Sequence, residues 1–248
     1  MEKNELIKYE GAMVQRVANV INVTNKLLTL FENQNFIFYF DRGCIRHRSN
    51  EYKGAIEDFS KAIEKDSKCV EAYLNRGLAK TSLKNYFGGM EDANKAIELD
   101  PQFAIAYHTR GYIKTRLEDN SGAIEDFNKA IELDPKLAIA FADRGITKAK
   151  MYDHSGAISD YSKALEKDSR NAEAYLNRGH AKQNVQDYSG AIDDYTMVIE
   201  INSQYASAYH YRGIAKQEIG DKSACGDWRK AAEMGFENSY DLIQKNCK

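Results

Sequence analysis

Apolar side chains between Met13 and Phe31 recur at steps of four and three: Met13, Val17, Val20, Leu27 and Phe31, with Thr24 interrupting the seam. That spacing predicts an amphipathic helix with one apolar face. From Phe36 onward a longer period takes over. A 34-residue segment, residues 104–137 in its clearest copy, recurs six times. Its register is marked by Gly43, Gly77, Gly111, Gly145, Gly179 and Gly213. A period between about 20 and 50 residues denotes a repeat architecture, in which each unit buries its apolar face against its neighbours.

Within the clearest copy the pattern predicts two helices. Helix A spans 104–117. Residues 118–121 form a turn, in which Asp119, Asn120 and Ser121 favour a break and a cap. Helix B spans 122–133 and ends at Asp134-Pro135, because the residue before proline avoids helical dihedrals. Four residues before each glycine stands an aromatic: Tyr39, Tyr73, Tyr107, Phe141, Tyr175, Tyr209. Twelve residues after it comes a small residue: Ala55, Gly89, Ala123, Ala157, Ala191, and Ala224 after a one-residue deletion. Small residues let the helix backbones approach, and rings such as Tyr107 and Phe127 fill the space beside them. The second copy carries Gly88 and Gly89 together at the start of helix B, and Ala93 where others have a ring, so it is expected to pack most weakly. The sixth copy puts Trp228 in the ring column. A last helix, about 238–247, is expected to lay Tyr240, Leu242 and Ile243 on it, with Gln244, Lys245 and Asn246 in solvent.

Two charged columns share the register. Arg42, Arg76, Arg110, Arg144, Arg178 and Arg212 immediately precede the glycines, and a basic residue follows four later on the same helix face. Helix B carries Asp58, Asp92, Asp126, Asp160, Asp194 and Asp227. We expect each arginine to pair with an aspartate of its own or an adjacent copy, since the planar fork binds a carboxylate bidentately. The result is a structural ladder rather than a catalytic array.

The order aromatic, Gly, Ala, aromatic, Ala, Pro, read in Tyr107, Gly111, Ala123, Phe127, Ala130 and Pro135, resembles the tetratricopeptide repeat. The resemblance implies an all-α fold: a right-handed α-solenoid of six helix-turn-helix repeats at 36–69, 70–103, 104–137, 138–171, 172–205 and 206–238. Residues 1–35 and 239–248 are then terminal helices that cover the stack. Residues 1–35 also read as a degenerate extra hairpin, a dimerising helix or a segment folding into the protein's own groove.

In that family the inner residues of the A helices line a concave groove for peptides or partner helices. By resemblance these are Phe40, Leu74, His108, Ala142, Leu176 and His210. One turn on come Cys44, Leu78, Tyr112, Ile146, His180 and Ile214, then His47, Thr81, Thr115, Ala149, Gln183 and Gln217. These columns vary between copies while the scaffold columns do not, which points to recognition. The lysine and asparagine clamp that holds a chaperone's terminal carboxylate is not expected, because Leu74, His108 and Leu176 replace its lysines.

Net charge is −2, which argues against capture of nucleic acid through a basic face. Cys44, Cys69, Cys225 and Cys247 are scattered without a CxxC, which fits a reducing compartment better than a disulfide framework. No signal peptide or membrane span is visible, so the expected location is the cytoplasm. Cys44 with His47, and His180 with His210, are the only pairs that suggest catalysis or metal binding. Each lacks the further groups such sites need. The reading is therefore a scaffold that binds another protein, with no cofactor or metal, no nucleic acid and no enzyme activity. The alternative is a self-assembling module joined through residues 1–35.

Overall fold

The computed structural model describes residues 35–247, and every regular element among them is an α-helix. The readings placed on the N-terminal segment lie outside the described residues. The chain divides into two compact units, residues 1–101 and 102–248. The first holds α1 (35–48), α2 (Tyr52–Lys65), α3 (Val70–Ser82) and α4 (Tyr86–Leu99). Here α3 packs on both α2 and α4. The second holds α5 (Ala104–Arg116), α6 (Asn120–Leu133), α7 (Ala138–Lys150), α8 (His154–Lys167), α9 (Ala172–Asn184), α10 (Tyr188–Ile201), α11 (Ala206–Glu218), α12 (Ala224–Glu233) and α13 (Asn238–Asn246). Each of these helices packs on the next, and α7 also touches α5 and α9.

The turn between A and B helices is tighter than the sequence suggests. Helix A ends one residue early and helix B begins two residues early, at Asn120 in the clearest copy. One residue takes a left-handed conformation: Asn50, Lys84, Glu118, Tyr152 and Gln186 at φ 62–64°, and Gly220 at 74°. The amide one residue further on then reaches back into helix A, as Asp119 N–H does to Lys114 O at 3.0 Å. The side chains of Asn85, Asp119, Asp153 and Asp187 accept the N–H of the glycine three residues on, capping helix B.

Proline is not what ends the B helices. Asp66, Asp168 and Asn202 close α2, α8 and α10 with the same backbone bond that Asp134 makes before Pro135. The shared device is a carboxylate or amide that accepts an N–H two residues on, as Asp66 does from Lys68 at 2.9 Å.

The core is a row of small residues and rings. Phe59, Phe127, Tyr161, Tyr195 and Trp228 are all buried, each flanked by buried small residues of its own B helix. The second hairpin has Ala93 in the ring position, so no ring stands against its helix A glycine. A Cβ on Gly77 would lie 3.1 Å from Gly89 O, whereas on Gly111 it would lie 2.8 Å from the Phe127 ring.

The charged columns are built into this seam. Each arginine grips the aspartate of its own hairpin in a fork, with the shorter arm at 2.6–2.7 Å. The basic residue four later takes the other carboxylate oxygen at 2.8–2.9 Å. The aspartates are only 0–6% exposed. The third guanidinium nitrogen reaches the preceding B helix: Arg76 to Ser60, Arg144 to Asn128, Arg178 to Ser162 and Arg212 to Thr196. The guanidinium also lies over the aromatic three residues earlier, as Arg144 does over Phe141 at 5.6 Å. One side chain thus joins two helices of its own hairpin to the hairpin before it.

The C-terminal end departs from expectation in two ways. Tyr240 is 53% exposed and reaches α12 through its hydroxyl, which donates to Ala232 O at 3.4 Å, while Ser239, fully buried, and Phe236 lie against His210. Cys225 and Cys247 form a disulfide, with Cα atoms 5.6 Å apart, while Cys44 and Cys69 are free. This corrects the expectation of no disulfide, for this one pair. The pair is brought together by the return of α13 over α12, which no local spacing records. α13 is nine residues long with one fully buried side chain, too little to hold a helix alone. Reduction, or Cys247→Ser, is expected to cost about 3 kcal/mol, the loop-entropy value for a 22-residue separation. Faster hydrogen exchange across α13 would accompany it. A melting curve unchanged by reductant would remove the disulfide from the forces holding α13.

Candidate functional site

With the arginine, lysine and aspartate columns committed to one another, the A-helix faces hold the remaining polar chemistry. In the first unit these positions are largely drawn into packing. Leu74 is 4% exposed on α3, between α2 and α4, and belongs to the core rather than to a binding face. Phe40 stacks near Phe36 and meets the Phe59 ring edge-on at 5.9 Å. Cys44 lies against the Ala55, Phe59 and Ala79 cluster, and burial pushes its thiol above the usual range. Burial pushes His47 toward its neutral form, and no hydrogen bond joins it to Cys44 among the described residues. Leu78 is half-buried.

In the second unit the face splits into two parts. At its C-terminal end His210 is 6% exposed and is not available to a ligand. Its Nδ1 lies 2.8 Å from Ser239 Oγ, and its ring lies 4.7 Å from that of Phe236, because the chain leading into α13 covers it. It does not reach His180, since Tyr211 lies against both rings. Leu176 packs on the Ala191, Tyr195 and Ala215 cluster, and Ile214 is half-buried.

The middle of this face is open. One cavity of about 290 Å³ lies between α5, α7 and α9, lined by Tyr112, Thr115, Arg116, Asp143, Ile146, Thr147, Lys150 and Glu173. Another of about 310 Å³ lies between α7, α8 and α9 and also contains Ile146 and Lys150. Here His108 Nε2 meets Asp143 Oδ2 at 2.8 Å across α5 and α7. Arg116 donates to Tyr112 Oη at 2.9 Å. His180 Nδ1 lies 3.0 Å from Tyr195 Oη, which also bonds Gln183. Burial pushes His180 toward neutrality and the Tyr195 and Tyr161 hydroxyls far above their usual range.

Of the predicted residues, the structure brings Tyr112, Thr115, Ile146, Ala149 and His180 to these adjoining cavities, and places His108 at their edge through Asp143. Arg116, Asp143, Lys150, His154, Asn177 and Asn184 are cavity residues the sequence reading did not select. Their columns also vary from copy to copy: Arg48, Ser82, Arg116, Lys150, Asn184 and Glu218 form one of them. That variation is the signal that finds them. Among the described residues no cluster of His, Cys, Asp and Glu is arranged to hold a metal, and no helix is long and apolar enough to cross a membrane.

Repeated helical hairpins with ring, glycine and small-residue columns define an all-α helical-repeat protein. Family profiles described as tetratricopeptide repeat match residues 40–102, 104–137 and 172–205, and one described as TPR repeat matches 153–186. The chain belongs to the tetratricopeptide repeat family. No curated protein matches it significantly in sequence.

Solved structures share the fold. A pilF protein of Pseudomonas aeruginosa aligns with a TM-score of 0.73 at 16% identity, covering 86% of this chain and 98% of that one. YrrB, described as a TPR protein with an unusual peptide-binding site, aligns at 0.64 with 23% identity over 75% and 97%. MamA of Desulfovibrio magneticus RS-1 aligns at 0.62 with 17% identity over 69% and 97%. At these identities the likeness is one of fold.

Proposed function

We propose that this chain is a non-catalytic interaction scaffold, and that the A-helix face of residues 102–248 takes an extended segment of a partner protein. The observation that carries the reading is the pair of adjoining cavities across α5, α7 and α9, with Ile146 in both. Recessed apolar surface ringed by polar groups is the usual form of a recognition site. The description of YrrB as a TPR protein with a peptide-binding site supports the same reading. The absence of catalysis is supported by Cys44 and His47, whose burial opposes both the thiolate and the imidazolium.

Ile146→Asp places a charge in both cavities, and its circular dichroism and melting curve establish that it folds. A protein retained from native lysate by the intact chain and lost by this variant is the expected result. Equal retention by both overturns the proposal. Concentration-dependent mass that disappears on deleting residues 1–35 would favour self-assembly instead.

A further inference from the structure

The sixth hairpin starts its B helix unlike the others. The residue after the small column is Ile56, Met90, Ile124, Ile158 and Ile192 in five copies, and Cys225 in the sixth. The turn before it is one residue shorter, and Ser223 gives α12 no side-chain cap. A cavity of about 450 Å³ opens there, with Gln217, Asp221, Lys222, Cys225, Trp228 and Asn246 in its lining. Cys225 is half-buried at the second position of α12. Its disulfide partner, Cys247, is not part of the lining.

The same bond latches α13 over α11. Ser239 Oγ meets His210 Nδ1 at 2.8 Å, and Gln217 donates to Asn246 Oδ1 at 3.0 Å. His210, Ile214 and Gln217 stand at i, i+4 and i+7, on one face of α11. The matching positions on α5 and α7, among them Tyr112, Thr115, Ile146 and Ala149, line the open cavities. On α11 the row is overlaid by a helix that buries Ser239 fully and Leu242 and Ile243 only in part. Noncovalent packing of α13 is thin, and the disulfide carries much of its attachment.

We propose that Cys225 is a thiol–disulfide exchange site: a small thiol enters the cavity, attacks Cys225 Sγ, and releases Cys247 together with α13 from the α11 face. The incoming thiolate bonds to Cys225 Sγ as the Cys225–Cys247 bond breaks. The electron pair leaves on Cys247 Sγ, which takes a proton from water. The thiol is oxidised into a mixed disulfide and Cys247 is reduced, so one molecule of thiol balances the step. Attack runs along the axis of the bond being broken, and a nucleophile in this cavity meets Cys225 rather than its partner. The positive N-terminal end of α12 favours an arriving thiolate. Asp221, the one carboxylate in the lining, is engaged in accepting Ser223 N–H at 2.8 Å. Where the A-helix face is the recognition surface, release of α13 adds His210, Ile214 and Gln217 to it. The exchange step needs no partner, so its failure leaves the groove reading standing.

The test exposes the whole chain to an excess of glutathione, quenches with a maleimide and maps the peptides by mass spectrometry. The first product is expected to carry glutathione on Cys225 and maleimide on Cys247. Amide hydrogen exchange across α13 should then rise about a hundredfold, with α5 to α10 unchanged. Lys222→Phe, at an exposed turn position, narrows the cavity and is expected to slow formation of this product. Circular dichroism establishes that the variant folds. Four results overturn the proposal: glutathione on Cys247 in place of Cys225; no mixed disulfide in an excess that reduces a solvent-exposed peptide disulfide; equal rates in Lys222→Phe and the native chain; or exchange that stays slow across α13 or rises across α5 to α10 as well.

Discussion

Replacing Arg144 and Lys148 together with alanine should destabilise the chain by about 3–5 kcal/mol, the cost of leaving a buried carboxylate without a partner. Asp160 is 1% exposed and its two oxygens are held by these two side chains at 2.6 and 2.8 Å. Arg144→Ala alone leaves Lys148 in place, so its cost should be nearer 2–3 kcal/mol, the range of a charged hydrogen bond. The reverse change, Asp160→Ala, leaves two cations that both reach solvent, at 13% and 23% side-chain exposure, and should be milder than the double variant.

Arg144 also donates to Asn128 on α6, so the loss should loosen the join between neighbouring hairpins as well as within one. Urea melts of the three variants provide the comparison, and shifts within error would show the ladder to be solvated charge. Acid adds a second reading. The Arg42 hydrogen bond holds Asp58 below the ordinary carboxylate range, with Arg46 acting in the same direction. A carboxyl whose folded value is depressed contributes stability above its unfolded value of about 3.9. That contribution is lost as pH falls through the folded value, so acid unfolding should set in below about pH 4 and Asp58→Asn should blunt it.

Phe127→Ala should cost about 3–5 kcal/mol, because a fully buried ring leaves a cavity that rigid helices close only in part. The ring is coupled to one glycine. A Cβ on Gly111 would lie 2.8 Å from Phe127 Cε1 and 3.1 Å from Ala123 O. Gly111→Ala should therefore cost about 1–3 kcal/mol by overpacking. In the double variant the clash with the ring is gone, so the two losses should sum to less than their separate values. Gly77→Ala meets no ring, only Gly89 O at 3.1 Å and Asp92 Cβ at 3.2 Å, and should be cheaper than Gly111→Ala. Additivity within about 0.5 kcal/mol would mean that ring and glycine do not act as a unit.

The sequence by itself determined the hairpins, their register and the chemistry of their seams. Those features recur at fixed offsets: a ring 16 residues after its glycine, an aspartate 16 after its arginine in five copies, a cap three residues before the glycine whose N–H it accepts. A contact made by one hairpin with itself is written again in every copy, so its pattern is visible without coordinates.

The tertiary structure decided what happens once. It buried Leu74 and covered His210 with the segment entering α13. It joined Cys225 to Cys247 across 22 residues, and opened a cavity beside Cys225. Such features depend on side chains from two or three helices meeting at a single point. No period along the chain encodes that meeting, because it arises where the copies differ and where the repeat ends.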